Sequence, residues 1–179
     1  VTGEKQKMYE RTRELIRECL RILRQPPLVS IMEWANQYRV LDTTSAKEVG
    51  KFNVERTPYM IEIYEKITKG ETKQVTLMMA AQLAKSELII NTILRYAHLD
   101  PCPMLIVQPT DEMARSFSKE RIQPAINNSI LHTIIKEPSK KDSGNTVTHK
   151  MFPGGYIAFV GANSPSKLAA RPIRNIFLD

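Results

Sequence analysis

The stretch that decides the fold is TLMMAAQLAKSEL, residues 76–88. It passes from an apolar segment into the pair Lys85-Ser86 and then into more apolar residues. A phosphate-binding loop has this arrangement, because backbone N–H groups and a helix N-terminus converge on the phosphates beside a lysine and a hydroxyl. The usual pattern is G-x-x-x-x-G-K-S/T, and Met79 and Ala84 stand here at its two glycine positions. The residues alone leave two interpretations open, a nucleotide cradle or an ordinary strand-to-helix turn.

Ala84 is the main departure from the pattern. If the backbone at this position requires a positive φ, a Cβ costs about 1–2 kcal/mol. If φ is negative, the alanine costs little in the backbone, but its methyl group can crowd the phosphates.

The flanking segments strengthen the nucleotide interpretation. QVTLMMA (74–80) is predicted to be a strand, and KSELIINTILRYAHL (85–99) a helix. Near the end of the chain, NIFLD closes an apolar strand with Asp179. A carboxylate at the carboxyl end of a neighbouring strand is where a nucleotide site holds Mg²⁺. We therefore predict that Lys85 contacts the phosphates and that Ser86 and Asp179 ligate Mg²⁺, although an Asp in a strand-to-loop turn is the plain alternative.

Strands and helices alternate through the second half of the chain. The predicted elements are the strand PMLIVQP (103–109), a helix capped by Thr110, the hairpin TVTHKMF-PGG-YIAFVGA (146–162) and the strand IRNIFLD (173–179). Between the helix and the hairpin lies the loop EPSKKDSGN (137–145). Such alternation predicts an α/β fold with a mostly parallel sheet covered by helices on both faces.

The first part of the chain is predicted to be helical. Residues 4–24 are amphipathic and end at QPPL (25–28), and a second helix follows with Ser30 and Glu33 as a capping box. After an irregular stretch, a third helix is predicted to begin with Thr57 as its cap and a proline at its first position.

The first helix has two alternative interpretations. It is either a docked helix with a solvated basic face or a surface that contacts DNA or a partner. Its apolar positions are Met8, Leu15, Ile16, Cys19, Leu20 and Leu23, and its basic residues are Lys5, Lys7, Arg11, Arg13, Arg17, Arg21 and Arg24.

Composition sets the remaining limits. The 179 residues suffice for one domain with a core, and the net charge of +7 raises the expectation of a polyanionic partner such as nucleic acid. Two distant cysteines and three isolated histidines predict neither a disulfide scaffold nor a zinc site. No apolar run has the length of a membrane span, so no membrane partner is expected. The missing initiator Met and the apolar end suggest part of a longer intracellular protein.

An ordered set of segments resembles the large subunit of lambda-type tailed-phage terminases, the DNA-packaging ATPases. The segments are WANQYRVL (34–41), ERTPYMIEI (55–63), AAQLAKSE (80–87), DPCPMLIVQPTDEMARSFSKERIQP (100–124) and THKMFPGGYIAFVGANSPSKLAARPIRNIFLD (148–179). The last two are long and specific, whereas the first thirty residues contribute little to the resemblance.

The resemblance implies a fold and a set of site residues. The fold is a P-loop NTPase of the RecA-like, additional-strand class, with residues 1–50 as a helical N-terminal extension and residues 51–179 as the ATPase domain. The family's loop reads Ala-Gln-x-Gly-Lys-Ser/Thr, so Ala84 departs from it. The implied catalytic residues are Lys85, Asp179 and Arg171, with Arg174 a weaker candidate for the arginine. The implied ATP-binding residues are Arg56, Tyr59, Ala80, Ala81, Gln82, Leu83, Ala84, Lys85 and Ser86.

One further position departs from the family. Arg56 and Tyr59 would flank the adenine, but Met60 stands where the family commonly has a glutamine. Adenine recognition by a side-chain amide is therefore not expected here.

The resemblance also implies a function. ATP and Mg²⁺ would be the cofactors, and hydrolysis would drive double-stranded DNA into a procapsid in the cytoplasm of the bacterial host. The implied partners are DNA, the small terminase subunit, the portal of the procapsid and further copies of the same chain. In the family a catalytic Glu follows Asp179, and the nuclease domain lies further on. This chain is therefore expected to bind nucleotide better than it hydrolyses it.

Two other functions remain compatible with the sequence. The loop could have decayed, which would leave a DNA-binding or scaffold module; the basic charge and the basic first helix favour this. A helicase-like DNA translocase of the same fold shares the loop and the acidic strand end, whereas the FPGG and GANSP segments favour the terminase.

Overall fold

The computed structural model describes residues 2–23, 29–43, 49–135, 145–169 and 171–179. The predicted helix stop QPPL at 25–28 lies outside the described residues, and so does most of the predicted loop 137–145. Among the residues described, no helix combines the length and the apolar character needed to cross a membrane.

The helices and strands follow one another in an order close to the predicted one. They are α1 (Thr2–Leu23), α2 (Ile31–Tyr38), β1 (Val40–Leu41), β2 (Gly50–Lys51), α3 (Ile61–Thr68), α4 (Lys85–Leu99), β3 (Pro103–Gln108), α5 (Asp111–Phe117), α6 (Gln123–Asn127), β4 (His149–Phe152), β5 (Gly155–Gly161), α7 (Pro165–Leu168) and β6 (Asn175–Leu178). A π-helical turn, Ser118–Ile122, joins α5 to α6.

The main sheet is mixed rather than purely parallel. Its strand order is β4-β5-β3-β6, with β3 parallel to both β5 and β6 and with β4 antiparallel to β5. The antiparallel pair is the predicted hairpin, whose turn contains Gly154 at φ +88°. Because β3, β5 and β6 are parallel, their carboxyl ends share one edge of the sheet. That edge carries Gln108, Gly161 and the end of β6.

Helices pack mainly against one face of this sheet. Met104 and Ile106 of β3 point to this face and lie in one buried cluster with Ile93 of α4 and Ile126 of α6. Leu105 and Val107 of β3 point to the opposite face and form a second buried cluster with Ala158 and Val160 of β5. The described residues that pack against this second cluster are Tyr156 and Ile173, neither of which belongs to a helix. The sheet is thus flanked by helices, but the described side chains do not give the predicted helical cover on both faces.

The predicted strand at residues 74–80 is wrong. The segment forms no ladder with any described strand, and β6 pairs only with β3 among them. Val75 and Met78 are 41% and 98% exposed, whereas Leu77 and Met79 are partly buried against a core cluster. An alternating apolar pattern indicates a strand only where a neighbour pairs with its backbone, and no neighbour within the described part of the chain does so.

The docked interpretation of α1 is also wrong for the side chains described. Met8, Leu15, Ile16 and Leu20 are each more than half exposed. The helix itself extends over the predicted residues, since its local sequence favours helix whether or not a face is covered.

Two of the three predicted helix caps, at Ser30 and Thr57, have different outcomes. Ser30 and Glu33 form the predicted capping box, and the hydrogen bonds from Ser30 lower the pKa of Glu33. Thr57 makes no side-chain cap; its hydroxyl donates to the Val54 carbonyl at 3.3 Å instead. The chain enters α3 through a 3₁₀ turn, Pro58–Met60.

Candidate phosphate-binding site

The start of α4 and the end of β6 meet at the carboxyl edge of the sheet. The Ser86 hydroxyl donates to the Asp179 carboxylate, with distances of 3.2 Å to Oδ2 and 3.4 Å to Oδ1. The backbone N–H of Asp179 donates to the Val107 carbonyl at 3.2 Å, which extends the pairing of β6 with β3. The two residues predicted to ligate Mg²⁺ are therefore neighbours in space.

The spacing of these oxygens suits a magnesium ion. Mg²⁺ takes octahedral oxygen ligands at about 2.0–2.1 Å, so two adjacent ligands lie about 3 Å apart. The hydroxyl and carboxylate oxygens are separated by 3.2 to 3.4 Å, close to that value. Ser86 and Asp179 could thus occupy two adjacent positions around one Mg²⁺ ion.

The loop before α4 has strained backbone at two residues. Gln82 has φ 61° and Ala84 has φ 57°, and these are the two non-glycine residues with positive φ in the described chain. Ala84 is the N-cap residue of α4, and no side chain caps this helix end. Because φ of Ala84 is positive, its Cβ lies close to the backbone, which costs about 1–2 kcal/mol. Such strain persists where the surrounding structure enforces it, often at ligand-binding loops.

Lys85 turns its ammonium group back over the loop. Its Nζ donates to the Ala80 carbonyl at 2.7 Å and to the Met79 carbonyl at 3.3 Å. The charge is therefore held by neutral backbone acceptors at the loop. A phosphate group would be a stronger acceptor for this ammonium than either carbonyl, because it carries the opposite charge whereas the carbonyls are neutral.

The segment predicted to flank the adenine lies beside the loop. Tyr59 is 48% exposed, and Arg56 is exposed as well. Met60 is fully buried and packs in one cluster with Leu88 of α4, against which Met79 also packs. The burial of Met60 leaves its side chain unavailable to a base, which agrees with the expectation that no side chain reads the adenine from this position.

A groove runs between α3 and the segment before the loop. Its volume is about 330 Å³, and its lining residues are Glu62, Ile63, Lys66, Thr72, Gln74, Val75, Thr76 and Leu77. It lies along the chain that leads into the loop and includes none of the predicted site residues.

The two candidate arginines differ in their surroundings. Arg174 forms a two-pronged ion pair with Asp100, at 2.8 and 2.9 Å, and this hydrogen bonding raises the pKa of its guanidinium. Arg171 is exposed, and no contact among the described residues brings it to the loop. The structure therefore assembles Lys85, Ser86 and Asp179 but does not bring either arginine to them.

Several residues near the site were missed by the sequence analysis. The Gln108 amide, buried at the end of β3, donates to Asp179 Oδ2 at 3.2 Å and so orients the carboxylate. Asp111 accepts hydrogen bonds from the Gly161 N–H and the Ser164 hydroxyl, both at 2.9 Å, and anchors the GANSP segment at the same edge. A polar residue that ends an apolar strand was the available signal for Gln108.

A buried polar network lies behind the loop. It joins Arg39, Glu87, Asn91 and Tyr64, and burial raises the pKa of Tyr64 to about 12. The sequence offered little signal for it, because its members lie far apart along the chain.

Known proteins are similar to this chain in sequence. The family model described as "Phage terminase large subunit gpA, ATPase domain" matches residues 46–179. The chain is 27% identical over 146 residues to the terminase large subunit of Escherichia phage lambda. These residues make up 81% of this chain and 22% of the lambda protein. It is 23% identical over 131 residues to the terminase large subunit of Enterobacteria phage P21. These residues make up 73% of this chain and 20% of the P21 protein. The chain thus spans about a fifth of the length of these relatives. No solved structure gives a significant match to it.

Proposed function

The chain belongs to the family of phage terminase large subunit gpA ATPase domains, and on that premise we propose that it binds Mg·ATP for a viral DNA-packaging motor. In the complete protein, ATP binding and hydrolysis would be coupled to the movement of double-stranded DNA into a procapsid. The observation that carries the proposal is the contact between Ser86 and Asp179 beside Lys85, at the start of a helix. We further propose a P-loop fold of the RecA-like, additional-strand class.

Each site residue has a role in this proposal. Lys85 leaves the Ala80 and Met79 carbonyls and neutralises the β- and γ-phosphates, while the loop from Ala80 to Ser86 offers its N–H groups. Ser86 and Asp179 would hold Mg²⁺, which would supply positive charge beside the phosphates. The start of α4 adds the positive end of its helix dipole.

The roles at the edge of the site rest on the family resemblance. Arg56 and Tyr59 flank the adenine base. Arg171 stabilises the transferring phosphoryl group in the site of an adjacent copy within the assembled motor.

This chain should bind nucleotide better than it hydrolyses it. Hydrolysis needs a group that positions the attacking water. Asp179 and Glu87 are the carboxylates that the described contacts bring to the loop, and both are engaged, Asp179 by Ser86 and Gln108 and Glu87 by Arg39. Either carboxylate would have to orient a water molecule while keeping these contacts or after giving them up.

The proposal includes partners and a location. These are double-stranded DNA, the small terminase subunit, the portal of the procapsid and further copies of this chain, in the cytoplasm of the bacterial host. The division into an extension, residues 1–50, and an ATPase domain, residues 51–179, stays a prediction.

The test of this function is DNA-stimulated ATP hydrolysis by the full-length protein. Lys85→Ala should abolish it, whereas Lys69→Ala, which removes an exposed lysine at the end of α3, should leave it unchanged. Equal hydrolysis by the parent and the Lys85→Ala protein would sink the assignment.

One observation favours the alternative of a decayed site. Ala84 keeps a left-handed backbone that suits glycine, so the loop carries strain without the residue that relieves it. A decayed module would bind no nucleotide and would retain only its DNA-binding or scaffold role, which nucleotide titration distinguishes. Unwinding of a tailed duplex by the full-length protein would instead favour a helicase-like translocase.

A further inference from the structure

A buried arginine from outside the loop is attached to the first turn of α4. The Arg39 side chain is 1% exposed, and its Nη2 donates to Glu87 Oε2 at 2.6 Å. Its Nε donates to Asn91 Oδ1 at 3.0 Å, one turn further along the same helix. One guanidinium thus holds two successive turns of α4.

The Arg39 backbone is itself fixed. Its N–H donates to the Ala35 carbonyl and caps α2, and its carbonyl accepts from the Phe52 N–H at 3.1 Å. The guanidinium is therefore presented from a rigid position rather than from a mobile chain.

The same network reaches the other side of the loop. Asn91 donates to the Tyr64 hydroxyl at 2.9 Å, and Tyr64 lies in the buried cluster against which Met79 packs. Glu87 directly follows Ser86, and Met79 stands at the opposite end of the loop. The network consequently connects the residues at which the loop begins and ends.

We infer that Arg39 is a positioning residue for the phosphate loop, acting through Glu87 and Asn91 on the first turns of α4. The inference rests on the proposed function, since it assigns Arg39 to that same site. It extends the site to a residue that precedes residue 46, where the family match begins. Arg39 would not touch the nucleotide; it would hold Lys85 and Ser86 in the orientation that the phosphates and Mg²⁺ require.

An arginine suits this role better than a lysine. A guanidinium is a planar fork whose N–H groups bind two acceptors at fixed angles, whereas an ammonium is a point charge on a flexible stem. Arg39→Lys keeps the charge opposite Glu87 but removes the fork that also holds Asn91.

The chain offers a matched control at the other end of α4. Arg95 is also buried, and its Nε and Nη2 both donate to the Val29 carbonyl at 3.2 Å. Arg95→Lys removes the fork of a buried arginine on the same helix, but at a distance from the loop.

Two measurements on the 179-residue chain test the inference. Without nucleotide, Arg39→Lys should raise the hydrogen-exchange rates of the amides at residues 88–91, the first ones bonded within α4, about tenfold, whereas Arg95→Lys should raise exchange near its own end of α4. In titrations with Mg·ATPγS, Arg39→Lys should weaken binding about tenfold, and Arg95→Lys should bind like the parent. If Arg39→Lys fails to fold, Glu87→Gln takes its place, because it keeps an oxygen acceptor but removes the ion pair.

The outcomes separate this inference from the proposed function. Exchange at residues 88–91 that rises equally in the two arginine variants would overturn the inference, because the role of Arg39 would then be only structural. Nucleotide binding that stays at the parent level in Arg39→Lys would overturn it as well. If the parent bound no nucleotide while Arg39→Lys still freed these amides, the proposed function would fail and the positioning of the loop by Arg39 would stand.

Discussion

The two ends of α4 are built in opposite ways. At its start, Ala84 has a left-handed backbone, no side chain caps the helix, and the described contacts of the Lys85 ammonium are with backbone carbonyls of the loop. At its end, the Trp34 indole donates to His98 Nδ1 at 2.9 Å, and the His98 ring meets the Tyr38 ring edge-on at 5.4 Å. One helix therefore joins a strained, polar end to a well-packed aromatic end.

This difference separates stability from function along a single element. Natural sequences tend to break local rules at functional sites and to follow them elsewhere. We therefore expect changes at the end of α4 to alter the free energy of unfolding, and changes at its start to alter ligand binding.

The largest expected effect is at the packed end. Trp34 is fully buried in the main core cluster, so Trp34→Ala should lower the free energy of unfolding by about 3–5 kcal/mol, since it leaves a cavity and an unpartnered His98. Urea unfolding would measure this loss. Tyr59→Ala, an aromatic change at the exposed loop end, should cost less than about 0.5 kcal/mol. An equal loss of unfolding free energy in the two variants would contradict the contrast between the two ends of α4.

At the start of α4, the next largest effect should depend on magnesium. Ser86→Ala and Asp179→Asn each remove one predicted Mg²⁺ ligand, and an interaction with a charged group is worth about 1.5–3 kcal/mol. Each variant should therefore bind Mg·ATPγS about 10- to 100-fold more weakly than the parent. In EDTA the parent and the variants should bind ATPγS alike. A loss of the same size with and without Mg²⁺ would argue against both residues as metal ligands.

Ala84→Gly should have a smaller effect of opposite sign. Glycine adopts the φ of 57° without a Cβ clash, so the variant should gain about 1 kcal/mol in the free energy of unfolding. Ala81→Gly is the matched control, because Ala81 lies in the same loop without a positive φ. A gain in the control, or a loss in Ala84→Gly, would contradict the assignment of strain to Ala84.

The smallest expected effect is a pH dependence at the packed end. Burial lowers the pKa of His98 below its ordinary value, which is about 6.5. Below that pH the unfolded chain takes up the proton before the folded chain does, so stability falls as the pH drops through 6.5 towards the folded pKa. His98→Gln should flatten the dependence of the melting temperature on pH in this range. Identical slopes in the parent and in His98→Gln would contradict the assignment.

Elements encoded by neighbouring residues could be predicted from the sequence. α4 covers residues 85–99 as predicted, and the Ser30–Glu33 capping box and the hairpin at Gly154 follow from residues close together in the chain. The proximity of Ser86 and Asp179 also followed, because the carboxyl ends of parallel strands share one edge.

Features that depend on distant partners could not be predicted. The apolar pattern of residues 74–80 predicted a strand, but a strand also needs a neighbour, which the pattern does not encode. The docked position predicted for α1 was wrong for the same reason: periodicity indicates an apolar face but not what covers it. The Arg39–Glu87 pair joins residues far apart in sequence, so neither residue suggested the other.

The central claim is that residues 79–86 form a working phosphate cradle despite Ala84. Calorimetric titration of the chain with Mg·ATPγS, beside the Lys85→Ala and Ala84→Gly variants, tests it most directly. We predict that the parent binds, that Lys85→Ala does not, and that Ala84→Gly binds at least as tightly as the parent. Binding that is the same in the parent and in Lys85→Ala, or absent from all three chains, would contradict the claim.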